Sequence, residues 1–124
     1  MAKVLIIEDD PYVQRMYQRL FGHKNYELII ASNGEQGLLL AKDSQPNIIL
    51  LDIMLPGMNG LEVLKQLKSN DATKHITVMI LTNLADEATI NTAKSLEADA
   101  YMVKADFSPE EVMQEVDKRI SPSN

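Results

Sequence analysis

The feature that most constrains this chain is a set of short apolar runs that do not alternate. Val4-Leu5-Ile6-Ile7, Leu28-Ile29-Ile30-Ala31, Ile48-Ile49-Leu50-Leu51 and Val78-Met79-Ile80-Leu81 are continuous, and Ala100-Tyr101-Met102-Val103 is a weaker fifth. A strand with one face in water alternates apolar and polar residues. A strand buried on both faces does not, and unbroken runs rich in Ile, Val and Leu fit a parallel sheet covered by helices. The runs are separated by helix-length segments. Five strand–helix units in series predict an α/β fold with a parallel sheet and right-handed crossovers.

The intervening segments carry the helical period. Val13, Met16, Tyr17 and Leu20 fall at i, i+3, i+4 and i+7, one stripe of an amphipathic helix. Asp10-Pro11 opens that helix, with Asp as cap and Pro at the first helical position. Ser32-Asn33-Gly34 precedes a second helix, from about Gly34 to Lys42, and Leu61, Leu64 and Leu67 mark a third. Ser108-Pro109-Glu110-Glu111 combines a capping box with a first-turn Pro, and Val112, Val116 and Ile120 then run down one face of the fifth. The fourth helix, about Glu87 to Leu96, is the weakest, because Thr89, Asn91 and Thr92 are poor helix formers.

Size and composition narrow the function. A chain of 124 residues suits one domain. At this size roughly two-thirds of the unfolded surface can be buried, so no staples are required. We expect one domain over residues 1–120 and a frayed tail over 121–124. The absence of cysteine excludes disulfides and thiolate metal sites. Twelve Lys and Arg against 18 Asp and Glu give a net charge of -6, which argues against non-specific binding to nucleic acid or anionic membranes. Met1-Ala2-Lys3 leads directly into the first run, with no signal-peptide h-region, and no apolar run approaches the ~18–20 residues of a membrane helix. A soluble cytoplasmic protein with no membrane insertion is the expectation.

In an open parallel sheet, ligands bind outside the carboxyl ends of the strands, at the point where the strand order switches direction. Glu8-Asp9-Asp10 follows strand one, Asp52 follows strand three, Thr82-Asn83 follows strand four and Lys104 follows strand five. Singly, most have an ordinary explanation. The acid triplet fits a solvated turn with Asp10 capping a helix, Thr82 a satisfied strand-end hydroxyl, and Lys104 a surface charge. Asp52 is harder to dismiss, because it follows Ile48-Ile49-Leu50-Leu51 directly and a buried carboxylate is costly unless paired or metal-bound. All four fall on one edge of the predicted sheet.

Clustered carboxylates repel one another, and a cation relieves that repulsion. An oxygen-only donor set selects Mg²⁺ or a similar hard ion. Bound Mg²⁺ commonly works on phosphates, and an Asp nucleophile can form an aspartyl phosphate. Phosphoryl transfer is mostly positioning and neutralisation of the equatorial oxygens, a task that fits Mg²⁺, Lys104 and Thr82.

At these residues the sequence closely resembles the receiver domains of two-component response regulators. The motifs are Lys3-Val4-Leu5-Ile6-Ile7-Glu8-Asp9-Asp10, Ile49-Leu50-Leu51-Asp52-Ile53-Met54-Leu55-Pro56-Gly57-Met58-Asn59-Gly60, Ile80-Leu81-Thr82 and Ala100-Tyr101-Met102-Val103-Lys104, in the family's order and spacing over nearly the whole chain. The resemblance, not the periodicity, implies a doubly wound, flavodoxin-like sheet of order 2-1-3-4-5, the order of the chemotaxis receiver that serves as a standard example of this fold. It implies that Asp52 is the phosphoacceptor and that Asp9 is a direct Mg²⁺ ligand, with Glu8 its partner through water. Asp52 and the Met54 backbone carbonyl complete the metal set. It further implies that Thr82 is the switch hydroxyl, Lys104 the phosphoryl-binding cation and Tyr101 the aromatic switch. Asp10 reads as a helix cap. The implied role is a phosphoacceptor signalling domain rather than an enzyme with turnover. Its partners are a sensor histidine kinase or histidine phosphotransfer protein and an unidentified output protein, with no direct nucleic-acid contact. Population shift of the surface formed by helix four, strand five and helix five is the implied readout. Because the sequence stops after helix five, a stand-alone receiver is the expectation.

The sequence departs from the family in two places. Ala105 stands where Pro often follows the lysine through a cis bond; a non-Pro cis bond costs roughly 3 kcal/mol. Leu96-Glu97-Ala98 stands where Gly often precedes strand five, so a positive φ at Glu97 carries a penalty of about 1 kcal/mol. Met54 and Leu84 match the positions that commonly tune phosphoryl lifetime; both are apolar, which predicts slow autodephosphorylation.

The rival readings fail on particular residues. A haloacid-dehalogenase-type phosphatase needs a second acid two residues after the nucleophile, where Met54 stands. A flavodoxin-like electron carrier needs a phosphate-binding loop after strand one, where Glu8-Asp9-Asp10 would repel a flavin phosphate. A degenerate receiver, used only for binding, would not keep the full acid and lysine set. His23 and His75 read as surface residues.

Overall fold

The computed structural model describes residues 1–120; the tail expected over 121–124 lies outside the described residues. The elements, in chain order, are β1 (Ala2–Ile7), α1 (Pro11–Phe21), β2 (Tyr26–Ala31), α2 (Gly34–Ser44), β3 (Ile48–Leu51), α3 (Gly60–Ser69), β4 (Thr77–Thr82), α4 (Glu87–Ser95), β5 (Ala100–Val103) and α5 (Pro109–Ile120). A 3₁₀ turn over Lys104–Asp106 links β5 to α5. All neighbouring strands are parallel, in the order β2-β1-β3-β4-β5. The expected fold class and order are both present.

The continuous runs are explained by two cores, one on each face of the sheet. Leu5, Ile7, Ile49, Leu51, Val78 and Ile80 point to the face covered by α2, α3 and α4, where they meet Ala41, Val63, Leu64, Leu67 and Ala93. Val4, Ile6, Ile48, Leu50, Met79 and Leu81 point to the other face and meet Tyr17 and Phe21 of α1 and Val112, Met113 and Val116 of α5. Side chains alternate along a strand, so a strand sandwiched between two helical layers is apolar at every position. The apolar runs understate the ladders at their polar ends. Lys3 pairs with Glu27 and Thr77 with Ile48, extending β1, β2 and β4 beyond the runs. Similarly, α2 reaches Ser44 rather than Lys42 and α4 stops at Ser95 rather than Leu96.

The predicted caps are formed. Asp10 accepts the Tyr12 N–H at 2.8 Å with Pro11 opening α1. Ser108 and Glu111 exchange reciprocal bonds, Ser108 N–H to Glu111 Oε1 at 2.8 Å and Glu111 N–H to Ser108 Oγ at 3.1 Å. Two glycines have tightly packed backbones. A Cβ on Gly37 would collide with the Ile7 side chain, and one on Gly60 would collide with the Asp52 carbonyl. Gly37 thus lets α2 lie against β1, and Gly60 lets the start of α3 tuck under the turn that carries Asp52. The Lys104–Ala105 peptide is trans, and Glu97 adopts φ +71°.

Candidate functional site

The sheet order places the direction switch between β1 and β3. Ile7 is in register with Leu51, and the Asp52 N–H donates to the Ile7 carbonyl at 3.1 Å. Glu8 and Asp52 therefore leave adjacent strands side by side. On the other side of β3, Leu51 is level with Ile80, so Thr82 lies a step beyond Asp52. Thr82 pairs with Val103, which delivers Lys104 to the same edge.

Burial singles out these residues. Among the described residues the buried polar and charged side chains are Glu8, Asp52, Thr73 and Thr82. Thr73 is explained locally, since its hydroxyl donates to the Leu67 carbonyl at 2.8 Å. The other three converge at the strand ends. Lys104 Nζ donates to Glu8 Oε1 at 2.6 Å and to Asp52 Oδ2 at 3.1 Å. Glu8 Oε2 accepts the Asp10 N–H at 3.0 Å, and Asp52 Oδ1 accepts the Met54 N–H at 3.1 Å. Carboxylate oxygens of Glu8, Asp9 and Asp52 lie within 4.8 Å of one another, with Asp9 exposed.

The electrostatics follow from one ammonium serving several acids. Burial holds the Glu8 carboxyl above its usual range; Lys104 and the Asp10 N–H pull it down without cancelling that rise, and the Asp52 charge adds to it. For Lys104, burial acts to lower the pKa, but the Glu8 and Asp52 carboxylates outweigh it and hold the amine above its ordinary value. Both groups hold their protons more tightly than in water, Glu8 chiefly because it is buried and Lys104 because two carboxylates face it.

This donor set suits a hard divalent cation. It offers three carboxylates and no sulfur or imidazole, it lies partly open to solvent through Asp9, and it carries an uncompensated negative charge.

Thr82 and Tyr101 occupy the β4–α4 side of the site. The Thr82 hydroxyl oxygen accepts a long bond from the Leu84 N–H at 3.4 Å. The Tyr101 hydroxyl donates to the Leu84 carbonyl at 2.6 Å, which ties β5 to the loop after Thr82. Burial, with the charges of Asp86 and Asp52, raises the Tyr101 phenol. Met54 projects outward with 57% of its surface exposed, while Leu84 packs partly buried against the core of the α2–α4 face. His23 and His75 are exposed.

A family model described as the response regulator receiver domain matches residues 4–117. This chain belongs to the response regulator receiver family. The receiver is 36% identical over 115 residues to the nitrate/nitrite response regulator protein NarL of Escherichia coli K12, covering 91% of this chain and 52% of NarL. It is 36% identical over 101 residues to the polar-differentiation response regulator DivK of Brucella anthropi, covering 82% of each. Among solved structures, the chemotaxis protein CheY4 of Vibrio cholerae superposes with a TM-score of 0.87 at 25% identity, over 96% of this chain and 98% of that one. The chain spans about half the length of several curated relatives it matches, NarL among them. Membership makes it a signalling domain of two-component systems rather than a conventional enzyme. Among the described residues, no helix is long and apolar enough to cross a membrane.

All the side chains expected at the site are present at this edge, Tyr101 at its periphery. Two features were not expected from the sequence. Lys104 pairs with Glu8 as well as with Asp52, and Gln14 of α1 reaches the carbonyl of Glu8 at 2.5 Å.

Proposed function

We propose that this receiver accepts a phosphoryl group on Asp52 from a histidine kinase or histidine phosphotransfer protein and reports it through the surface formed by α4, β5 and α5. The observation that carries the reading is the double engagement of Lys104 by Asp52 and Glu8 at the β1–β3 switch point. It sets a buried carboxylate at the sheet edge in direct contact with a cation. In the reaction an Asp52 carboxylate oxygen attacks phosphorus, the phosphorus–nitrogen bond of the donor breaks, and the leaving imidazole nitrogen keeps the electron pair. Asp52 supplies the nucleophilic carboxylate oxygen, with Lys104 in contact beside it. Lys104 is placed to follow the new negative charge from carboxylate to phosphoryl group.

Glu8, Asp9, Asp52 and the Met54 backbone carbonyl form the proposed Mg²⁺ set. The ion supplies neutralisation of the phosphoryl oxygens. Thr82 is the proposed hydroxyl partner of the phosphoryl group. Its movement would disturb the Leu84 loop, to which Tyr101 is bonded, and so reach β5 and α4. The domain proper is residues 1–120.

The test is direct. The protein is incubated with Mg²⁺ and a small phosphodonor such as acetyl phosphate, and its mass is measured. We expect one added phosphoryl group, lost in Asp52→Asn and on chelation of the metal. A native protein that gains no mass, or an Asp52→Asn protein that still does, overturns the reading.

A further inference from the structure

We propose that Gln14 is a positioning residue for the acid pair Glu8 and Asp9, acting as a neutral strap that aims Asp9 at the metal position; the inference rests on the Mg²⁺ reading above. Among the described residues the Asp9 carboxylate accepts no hydrogen bond, and the residue is exposed. Nothing but its backbone directs it. That backbone leaves Glu8 through the peptide unit whose oxygen is the Glu8 carbonyl. Gln14 Nε2 donates to this carbonyl at 2.5 Å and also to Ser32 Oγ at 3.1 Å. The other side of Glu8 is tied as well, its N–H donating to the Ala31 carbonyl at 3.0 Å.

The far anchor is itself held. The Ser32 N–H donates to Gln36 Oε1 at 2.8 Å, and the Gln36 N–H donates to Asn33 Oδ1 at 2.8 Å. One carboxamide therefore links the turn after β1 to the turn after β2, with α1 and α2 behind each end. Both of its hydrogens are used, and its charge is zero. A cationic side chain at this position could hold the same carbonyl, but it would put positive charge beside the acids and weaken their demand for a divalent ion. Groups that orient metal ligands from behind typically contribute about 10- to 100-fold to affinity.

The test compares the native protein with Gln14→Met, which keeps the length and loses the donor, and Ser32→Ala, which removes the far anchor only. Mg²⁺ binding is followed by titration calorimetry without phosphodonor, and stability by urea unfolding without metal. We expect Gln14→Met to raise the Mg²⁺ Kd about tenfold and Ser32→Ala to raise it severalfold, with urea midpoints close to native. A merely structural role moves the midpoint and leaves the Kd alone. If native protein and both variants bind Mg²⁺ equally, the inference is wrong while the metal reading stands. If native protein binds no Mg²⁺, both fall together. If Gln14→Met does not fold, the Ser32→Ala Kd decides: a native value rejects the strap.

Discussion

The Lys104 ammonium is shared between Asp52, at the end of β3, and Glu8, at the end of β1, at 3.1 and 2.6 Å. One side chain from the turn just after β5 thereby ties three strand ends together. Removing it leaves two buried carboxylates without a cation, and breaking a buried pair by deleting one partner costs about 3–5 kcal/mol. Lys104 keeps 21% of its side-chain surface in water, and water offsets part of that cost. We expect Lys104→Met to lower stability by roughly 2 kcal/mol without metal. Mg²⁺ should recover much of the loss by taking over the neutralisation, and urea unfolding with and without Mg²⁺ measures both effects.

The raised Glu8 pKa makes stability depend on pH in a definite direction. The unfolded chain releases the Glu8 proton near 4.5, whereas the folded protein keeps it to higher pH. Above 4.5 the native state therefore binds more protons than the unfolded one, and its stability falls as pH rises through the folded value. Lys104 acts at the other extreme. Its contribution is complete below 10.5 and is lost only as pH climbs through its raised folded value. We expect Glu8→Gln to flatten the mildly acidic slope, to leave the metal-free protein at least as stable as native at neutral pH, and to weaken Mg²⁺ binding. Urea midpoints across pH, in chelator, check the slope.

Among the described residues, two non-glycine residues have positive φ, Gln45 at 50° and Glu97 at 71°, and they should respond oppositely to glycine. The Glu97 side chain forms no hydrogen bond among the described residues that would repay its strain. Glu97→Gly should gain about 0.5 kcal/mol, the left-handed penalty less the extra freedom of glycine in the unfolded chain. Gln45 Nε2 donates to the Ala72 carbonyl at 2.9 Å and to the Lys42 carbonyl at 3.1 Å, binding the end of α2 to the turn after α3. Gln45→Gly should therefore lose about 0.5–1 kcal/mol. Thermal unfolding of the two variants beside the native protein shows whether the signs differ.

At the opposite end of the sheet, Tyr26 of β2 and Lys24 both donate to Asp117 of α5, Lys24 at 2.9 Å. Burial, then the bond to Asp117, pushes the Tyr26 phenol up to about 12. Burial acts to raise the Asp117 pKa, but the Tyr26 hydroxyl and Lys24 outweigh it and hold the carboxyl below the usual range. For a depressed carboxyl, the stabilisation is present above the ordinary 3.8 and disappears as pH falls through the folded value. Tyr26→Phe should cost about 1 kcal/mol at neutral pH and let Asp117 titrate nearer its ordinary value. NMR titration of the carboxyl carbon reads the second effect.

How much of this was legible depended on whether a feature had a period. Ile48 to Leu51 could be read as a doubly buried strand because every position is apolar, and a parallel sheet then sends Glu8, Asp52, Thr82 and Lys104 to one edge whatever their individual roles. The ladder ends at Lys3, Glu27 and Thr77 were missed because polar residues there pair through backbone alone. The second contact of Lys104 spans 96 positions and depends on side-chain reach. Gln14 carries no periodic signal, being one polar residue among others beside the apolar stripe of α1. Glu97 was legible only as a position where glycine was expected.

The lifetime of the proposed aspartyl phosphate turns on Met54 and Leu84. Hydrolysis needs a water held in line with the phosphorus–oxygen bond, and a side chain orients water only by accepting or donating a hydrogen bond. Met54 stands two residues beyond Asp52, exposed and apolar, and its N–H is already committed to Asp52 Oδ1. Leu84 packs on the core while its carbonyl receives the Tyr101 hydroxyl. Neither side chain can orient a water, so the phosphorylated native protein should persist for minutes or longer in Mg²⁺. Met54→Asn places an amide at the rim without touching the core and should shorten the half-life severalfold. Met54→Ala opens the same space with no polar group and should leave it near native. Decay of the phosphorylated mass after removal of phosphodonor separates the two. Equal acceleration in Asn and Ala variants would mean that Met54 acts by steric shielding and not by failing to hold water.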